Sequence, residues 1–183
     1  MFYKHSKDGK IAILIVYVDD IVLTGSDKEE LERLKRRLAV EFEIKDLGAS
    51  KYFLGMEFAR SKEGIFVNQR KYVLDLLGEI GQLGCKLAET PIEPNIKLLP
   101  SKNDEVKDKE QYQRLVGRLI YLSHTRSDIA FAISMVSQFM HALGQQHFDV
   151  VYRILRYLKG LPRRGLMFKG HGHLQVEAFI DAD

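Results

Sequence analysis

The feature that most constrains the fold is a run of β-prone residues that ends in two adjacent aspartates. Residues 11–18 read IAILIVYV, an almost continuous apolar stretch that predicts a strand buried on both faces. Residues 21–24 predict a second short strand, and only Asp19 and Asp20 separate the two, which is the spacing of a tight β-hairpin. A hairpin buried on both faces needs other secondary-structure elements packed against each face. Because few residues precede this one, we expect part of its parent domain to lie upstream.

The paired aspartates allow two interpretations. Adjacent carboxylates repel each other unless a cation or solvent compensates their charge. Mg²⁺ prefers such hard oxygen ligands and leaves room for substrate phosphates, as two-metal phosphoryl transfer requires. The alternative is an ordinary solvated turn, because aspartate side chains bond the local backbone in turns. Taken alone, residues 17–20 favour the solvated turn.

The N-terminal half of the remaining chain predicts a mixture of helices and strands. A helix capped by Ser26 is expected over the apolar stripe from Leu31 to Phe42, and a second, capped by Asn68, over residues 69–80. Residues 52–58 and 65–67 predict strands on either side of a turn. The prediction for this half is therefore an antiparallel hairpin sheet with helices.

The C-terminal half predicts mainly helices. Three prolines within residues 91–100, followed by a charged stretch, predict a linker or exposed loop over 91–110. Three apolar stripes within residues 111–162 predict a small helical bundle, the second helix being capped by Ser127. Residues 165–169 and 174–181 predict two strands of a new domain. The expected fold class is thus α+β.

Composition excludes several classes of protein. The chain is 45% hydrophobic, which is typical of a globular protein, and its longest apolar run is too short to cross a bilayer. A single cysteine, Cys85, cannot form an internal disulfide and suits a reducing compartment. We therefore expect no membrane partner and a cytoplasmic location, with a virus-like particle or the nucleus as alternatives. A net charge of +3 does not by itself establish a nucleic-acid partner.

The order of motifs along the chain resembles one family. YVDDIVLTG at residues 17–25, FEIKDLG at 42–48 and YFLGME at 52–57 are followed by YQRLVGRLIYL, TRSDI and LRYLKG. In this order and spacing they resemble the reverse transcriptase of copia-type LTR retrotransposons. The resemblance implies an RNA-directed DNA polymerase palm over residues 1–90, thumb or connection helices over 111–162 and a truncated RNase H start over 163–183.

The resemblance also implies roles for individual residues. Asp19 and Asp20 correspond to metal-binding catalytic aspartates, with Mg²⁺, or alternatively Mn²⁺, as the cofactor. Lys45 resembles the lysine proposed to protonate the leaving pyrophosphate, although an exposed loop lysine is the alternative. Asp181 resembles the first RNase H carboxylate. The implied partners are a template-primer duplex and deoxynucleotides; the residues implied to contact nucleic acid are Tyr17, Val18, Tyr52, Phe53, Leu54 and Gly55.

A basic row in the third bundle helix is a further candidate for nucleic-acid contact. Arg153, Arg156 and Lys159 lie three residues apart, opposite the apolar stripe, and such rows contact phosphates. A solvated helix face is the alternative, and the resemblance favours a duplex-facing thumb.

The resembling enzymes also use a third aspartate and a fingers region that residues 1–16 are too few to contain. We therefore expect the chain alone to be inactive as a polymerase. The alternative functions are a non-catalytic nucleic-acid-binding remnant and a structural remnant of a retroelement.

Overall fold

A computed structural model describes residues 1–101 and 108–170, and the chain divides into two compact units, residues 1–53 and 54–183. The first unit contains the strands β1 (Phe2–His5), β2 (Ile11–Tyr17) and β3 (Asp20–Gly25), the helix α1 (Lys28–Glu41) and the short strand β4 (Tyr52–Phe53). The second unit contains the strands β5 (Met56–Arg60), β6 (Gly64–Asn68) and β7 (Gly165–Lys169), with four α-helices between β6 and β7: α2 (Arg70–Glu79), α3 (Lys109–Ser123), α4 (Ala130–Ser137) and α5 (Gln145–Gly160). The predicted α+β class is confirmed.

The first unit is an antiparallel sheet in the order β1-β2-β3, against which α1 packs. The sequence pattern did not predict β1, which pairs with the first half of β2. The predicted burial of β2 on both faces is wrong within this chain: Val16 and Tyr17 are 47% and 54% exposed. Among residues 1–53, all of which are described, Ala12 is the single fully buried apolar side chain.

Helix α1 begins at a different cap from the predicted one. Asp27, not Ser26, occupies the N-cap, and its carboxylate accepts a hydrogen bond from Glu30 N at 3.1 Å. The hydroxyl of Ser26 instead accepts one from Ile11 N, at the start of β2. Ser26 therefore connects β2 to the chain that enters the helix.

The second unit has a hydrophobic core formed by α2, α3, α4 and α5. Apolar side chains at helical spacing produce it, and its fully buried members include Leu77, Leu119, Val136, Ile154 and Leu158. Gln69, not the predicted Asn68, is the N-cap of α2, although the Asn68 side chain does accept a hydrogen bond from Arg70 N. Ser127 begins a short 3₁₀ turn (Ser127–Ile129) ahead of α4 instead of capping that helix. None of the described helices is long and apolar enough to cross a membrane.

Two segments differ from the predicted domain plan. Residues 91–101, expected as part of a linker or exposed loop, lie against the core: Leu98 is buried, and Gln146 donates to Leu99 O at 2.7 Å. Strand β7, expected to begin a new domain, pairs antiparallel with β6 along its whole length. Within the second unit the antiparallel order is β5-β6-β7, so β7 completes this sheet. The strand predicted at 174–181 lies outside the described residues.

Candidate functional site

The two aspartates lie at the end of the predicted hairpin. The β2–β3 register ends with Tyr17 opposite Asp20, which leaves Val18 and Asp19 as a two-residue loop. Val18 has a φ of 49°, a left-handed conformation that a β-branched side chain rarely adopts. Such strain costs about 1–3 kcal/mol and often occurs at functional sites. The tight hairpin is confirmed, and its loop carries local strain.

The hairpin loop is open to solvent. Val18 is 80% exposed, and both aspartates are exposed. Neither carboxylate has a hydrogen-bond or ion-pair partner among the described residues. Within the described ranges no group of three or more His, Cys, Asp or Glu side chains is arranged to hold a metal ion. The structure thus leaves two consecutive, exposed carboxylates without a partner among the described residues.

Lys45 also belongs to the first unit, in an irregular segment that follows α1, and its side chain is exposed. Its neighbour Asp46 has local partners: the carboxylate accepts from Gly48 N at 2.8 Å and lies 3.4 Å from the Lys35 ammonium. The Gly48 amide and then the Lys35 charge lower the pKa of Asp46. The proposed proton-donor role of Lys45 stays a prediction.

Residues 54–55 form a turn between β4 and β5, which interrupts the continuous strand expected over 52–58. The chain bends after β4, because Leu54 and Gly55 both have positive φ, 50° and 75°. The Leu54 carbonyl accepts a hydrogen bond from the Tyr121 hydroxyl. A Cβ on Gly55 would lie 3.1 Å from the Tyr72 ring. Tyrosines of α2 and α3 therefore fix the backbone of this turn.

The basic row on α5 divides into paired and unpaired members. Arg153 donates to Thr90 O, Thr90 Oγ1 and Glu93 at 2.7–3.2 Å, and Lys159 donates to Cys85 O at 2.6 Å. Arg156, by contrast, has a buried Nε with no hydrogen-bond partner. Two of the three cations thus hold residues 85–93, which we call the 85–93 segment, against α5. Their predicted contact with nucleic acid stays a prediction.

Sequence reasoning missed a buried ionic cluster in the second unit. Arg126 is 1% exposed and forms two 2.9 Å hydrogen bonds to the Asp128 carboxylate and a third, also 2.9 Å, to Leu161 O. The Tyr157 hydroxyl donates to the same carboxylate at 2.8 Å. The available sequence signal was an arginine and an aspartate two residues apart in the TRSDI motif. The cluster joins the α3–α4 connection to the end of α5.

The predicted site residues fall in both compact units. Asp19 and Asp20 share the hairpin of the first unit with Tyr17 and Val18, and Lys45, Tyr52 and Phe53 lie in the same unit. The second unit contains Leu54, Gly55, Arg153, Arg156 and Lys159. Asp181 lies outside the described residues.

Comparisons with known proteins agree with the motif order. The family model described as "Reverse transcriptase (RNA-dependent DNA polymerase)" matches residues 1–94. The retrovirus-related Pol polyprotein from transposon RE1 of Arabidopsis thaliana is 39% identical over 94% of this chain, and that from transposon TNT 1-94 of Nicotiana tabacum is 33% identical over 100% of this chain. An uncharacterized mitochondrial protein of Arabidopsis thaliana is 40% identical over 93% of the chain and 70% of its own length. No solved structure matches the chain.

The chain spans only 12% and 14% of the length of the RE1 and TNT 1-94 polyproteins. The family match nevertheless covers the hairpin and residues 52–55, and the relatives match the helical part as well. The resemblance to copia-type retrotransposon enzymes is confirmed. The chain belongs to the reverse transcriptase (RNA-dependent DNA polymerase) family.

Proposed function

We propose that this chain supplies the metal-binding hairpin and the primer-strand region of an RNA-directed DNA polymerase. The observation that carries the proposal is the strained, exposed loop at Val18, where the consecutive Asp19 and Asp20 have no partner among the described residues. A turn built only for structure would not need a β-branched residue at positive φ. The family match over the same residues supports a catalytic reason for it.

The two carboxylates fit a divalent cation in chemistry, though not as a complete site. Asp19 and Asp20 offer the hard oxygen ligands that Mg²⁺ prefers, with Mn²⁺ as a substitute. When bound, the ion would supply charge stabilisation to the phosphoryl group being transferred. The described residues add no third protein ligand. Asp19 and Asp20 would therefore hold the ion weakly in the chain by itself.

Other residues would position the nucleic acid. Tyr17 and Val18 directly precede the two aspartates in the hairpin and would face the primer end. Residues 52–55 would contact the primer backbone, and the bond from Tyr121 to Leu54 O would keep this turn in one conformation. Lys45, exposed and beyond α1, would donate a proton to the leaving pyrophosphate.

The helical part of the second unit would act as thumb or connection, with template-primer duplex and deoxynucleotides as partners of the complete enzyme. The RNase H assignment of Asp181 is part of the same proposal. We further propose that the 183 residues alone do not polymerise, because two carboxylates without a third provide too little electrostatic stabilisation. The bonded state of Arg153 and Lys159 gives little support to the alternative of a nucleic-acid-binding remnant.

Calorimetric titration with Mg²⁺ tests the metal assignment. We expect weak binding, with a Kd on the order of 1 mM, that disappears in the double variant Asp19→Asn/Asp20→Asn. Asp8→Asn is the matched control, because Asp8 is an exposed aspartate in the loop between β1 and β2. Equal Mg²⁺ binding by the double variant would refute the assignment.

A primer-extension assay with Mg²⁺ tests the second part of the proposal. The purified chain is expected to incorporate no nucleotide above the level of the double variant. Incorporation that depends on Asp19 and Asp20 would show that the chain needs no further carboxylate, and would refute the claim of inactivity.

A further inference from the structure

A cavity in the second unit is lined by more positive than negative charge. It has a volume of about 390 Å³, and its lining residues are Gln82, Cys85, Lys86, Asp149, Tyr152 and Arg156. Its size is within the range of pockets that bind small ligands. Two cations and one carboxylate line it, and that carboxylate accepts a hydrogen bond from Gln145 Nε2 at 3.1 Å.

Arg156 provides the observation that points to a ligand. Its Nε is buried and has no hydrogen-bond partner among the described residues. A buried donor left without an acceptor is destabilising, and more so when it is charged. On the same helix face, Arg153 and Lys159 are both bonded to the 85–93 segment. The chain thus satisfies the cations on either side, while the guanidinium between them, which belongs to a residue that lines the cavity, has no hydrogen-bond partner among the described residues.

Residues within 82–86 and the helix α5 form the walls of this cavity. Lys159 donates to Cys85 O at 2.6 Å and Arg153 binds Thr90, so the chain is fixed to the helix on both sides of Lys86. The neighbouring Lys86 is exposed and has no partner in the described part of the chain. A second positive side chain is therefore free to approach an anion at Arg156.

The chemistry of the lining favours a phosphate group over a carboxylate. Guanidinium and ammonium groups together match the several acceptor oxygens of a phosphate. The aromatic ring of Tyr152 also lines the cavity, and it offers a flat surface for a base or sugar. We propose that the cavity binds the phosphate of a nucleotide, carried either by a free nucleotide or by a nucleic-acid strand.

NMR titration of the full chain, without divalent metal, tests this inference. The probes are inorganic phosphate, deoxyadenosine monophosphate and an eight-residue oligothymidylate. We expect saturable shifts at Gln82, Lys86 and Tyr152, with affinity falling at least about tenfold in Arg156→Gln. Arg163→Gln is the matched control, because it removes the same charge from an exposed arginine that does not line the cavity.

The outcomes separate the two sources of phosphate. Shifts with phosphate or the mononucleotide indicate a free-nucleotide site, and shifts with the oligonucleotide alone indicate a strand-binding site. No saturable shift with any probe would overturn the inference, as would equal losses in Arg156→Gln and Arg163→Gln. Lys86→Gln repeats the test at an exposed side chain whose replacement should leave the fold intact.

The test is independent of the metal assignment. The cavity lies wholly in the second unit, whereas the aspartate hairpin lies in the first. Asp19→Asn/Asp20→Asn should therefore bind phosphate at this cavity like the unmodified chain. Loss of Mg²⁺ binding without loss of phosphate binding would confirm that the two sites are separate.

Discussion

Replacing Asp128 by asparagine removes the charge that compensates a buried arginine. Arg126 is 1% exposed, and two of its three hydrogen bonds, each 2.9 Å long, go to the Asp128 carboxylate. Asparagine has almost the same shape, so the change opens no cavity. Its amide nitrogen, however, turns a donor toward a guanidinium that has only donors.

The expected loss of stability follows from this geometry. Removing one partner of a buried ion pair costs about 3–5 kcal/mol, because the other charge stays buried without compensation. The Asp128 side chain is 16% exposed, and asparagine keeps one acceptor oxygen, so we expect the lower end, about 3 kcal/mol. Arg164→Gln is the matched control: Arg164 contacts the same carboxylate at 3.3 Å but is 54% exposed, which predicts about 0–1 kcal/mol.

Urea unfolding followed by far-ultraviolet circular dichroism measures both variants, since four of the five described α-helices belong to the second unit. At neutral pH the midpoint for Asp128→Asn should fall well below that for Arg164→Gln. Equal urea midpoints for the two variants would refute the reasoning, because they would show that the buried charge of Arg126 does not depend on the Asp128 carboxylate for compensation.

The pH dependence provides an independent check. Burial would raise the pKa of Asp128, but hydrogen bonds from Arg126 and Tyr157 and the charges of Arg126 and Arg164 outweigh it and lower the pKa below 3.8. Because the folded pKa is below the unfolded value, the stabilisation is complete above the unfolded pKa and is lost as the pH falls through the folded pKa. The difference in the free energy of unfolding between the unmodified chain and Asp128→Asn should therefore narrow only in strong acid.

Three further substitutions or conditions test other parts of the structure. Gly55→Ala should destabilise the second unit by about 1–2 kcal/mol, because φ is +75° and the new Cβ would lie 3.1 Å from Tyr72; an unchanged urea midpoint would contradict this. Val18→Gly should relieve strain and stabilise the hairpin by about 1 kcal/mol, seen as slower amide exchange in β2 and β3, whereas faster exchange would show that Val18 is unstrained. Burial lowers the pKa of His147 below 6.5 despite opposing backbone hydrogen bonds, so folding favours the neutral imidazole. The free energy of unfolding should therefore decline as the pH falls below about 6.5. His147→Phe should lack this decline, and a pH profile identical to that of the unmodified chain would show that His147 does not cause it.

The hairpin and helix stripes were predictable from sequence because their signals are local. Two β-prone runs around Asp19 and Asp20 specify a tight turn, and apolar residues at helical spacing specify the buried faces of α3 and α5. The burial of β2 was not predictable, because exposure depends on which elements cover a strand. Strand β1 was missed since Phe2 to His5 is short and mixed in polarity.

Long-range pairing accounts for most of the other differences. Strand β7 pairs with β6 across about 100 residues of sequence, and its local pattern does not indicate which strand it pairs with. The acceptors for Arg153 and Lys159 lie in the 85–93 segment, 60 to 74 residues away. A basic row on a helix therefore looked free in sequence although two of its members are bonded within the fold.

Paramagnetic mapping with Mn²⁺ tests the central assignment most directly. Mn²⁺ added to the isotope-labelled chain in substoichiometric amounts should first broaden the amide signals of Val18, Asp19 and Asp20, and excess Mg²⁺ should restore them. In the Asp19→Asn/Asp20→Asn variant this selective broadening should vanish. Broadening of Asp8 and Asp75 as strong as that at the hairpin, or selective broadening that persists in the double variant, would contradict the assignment of this loop as a divalent-cation site.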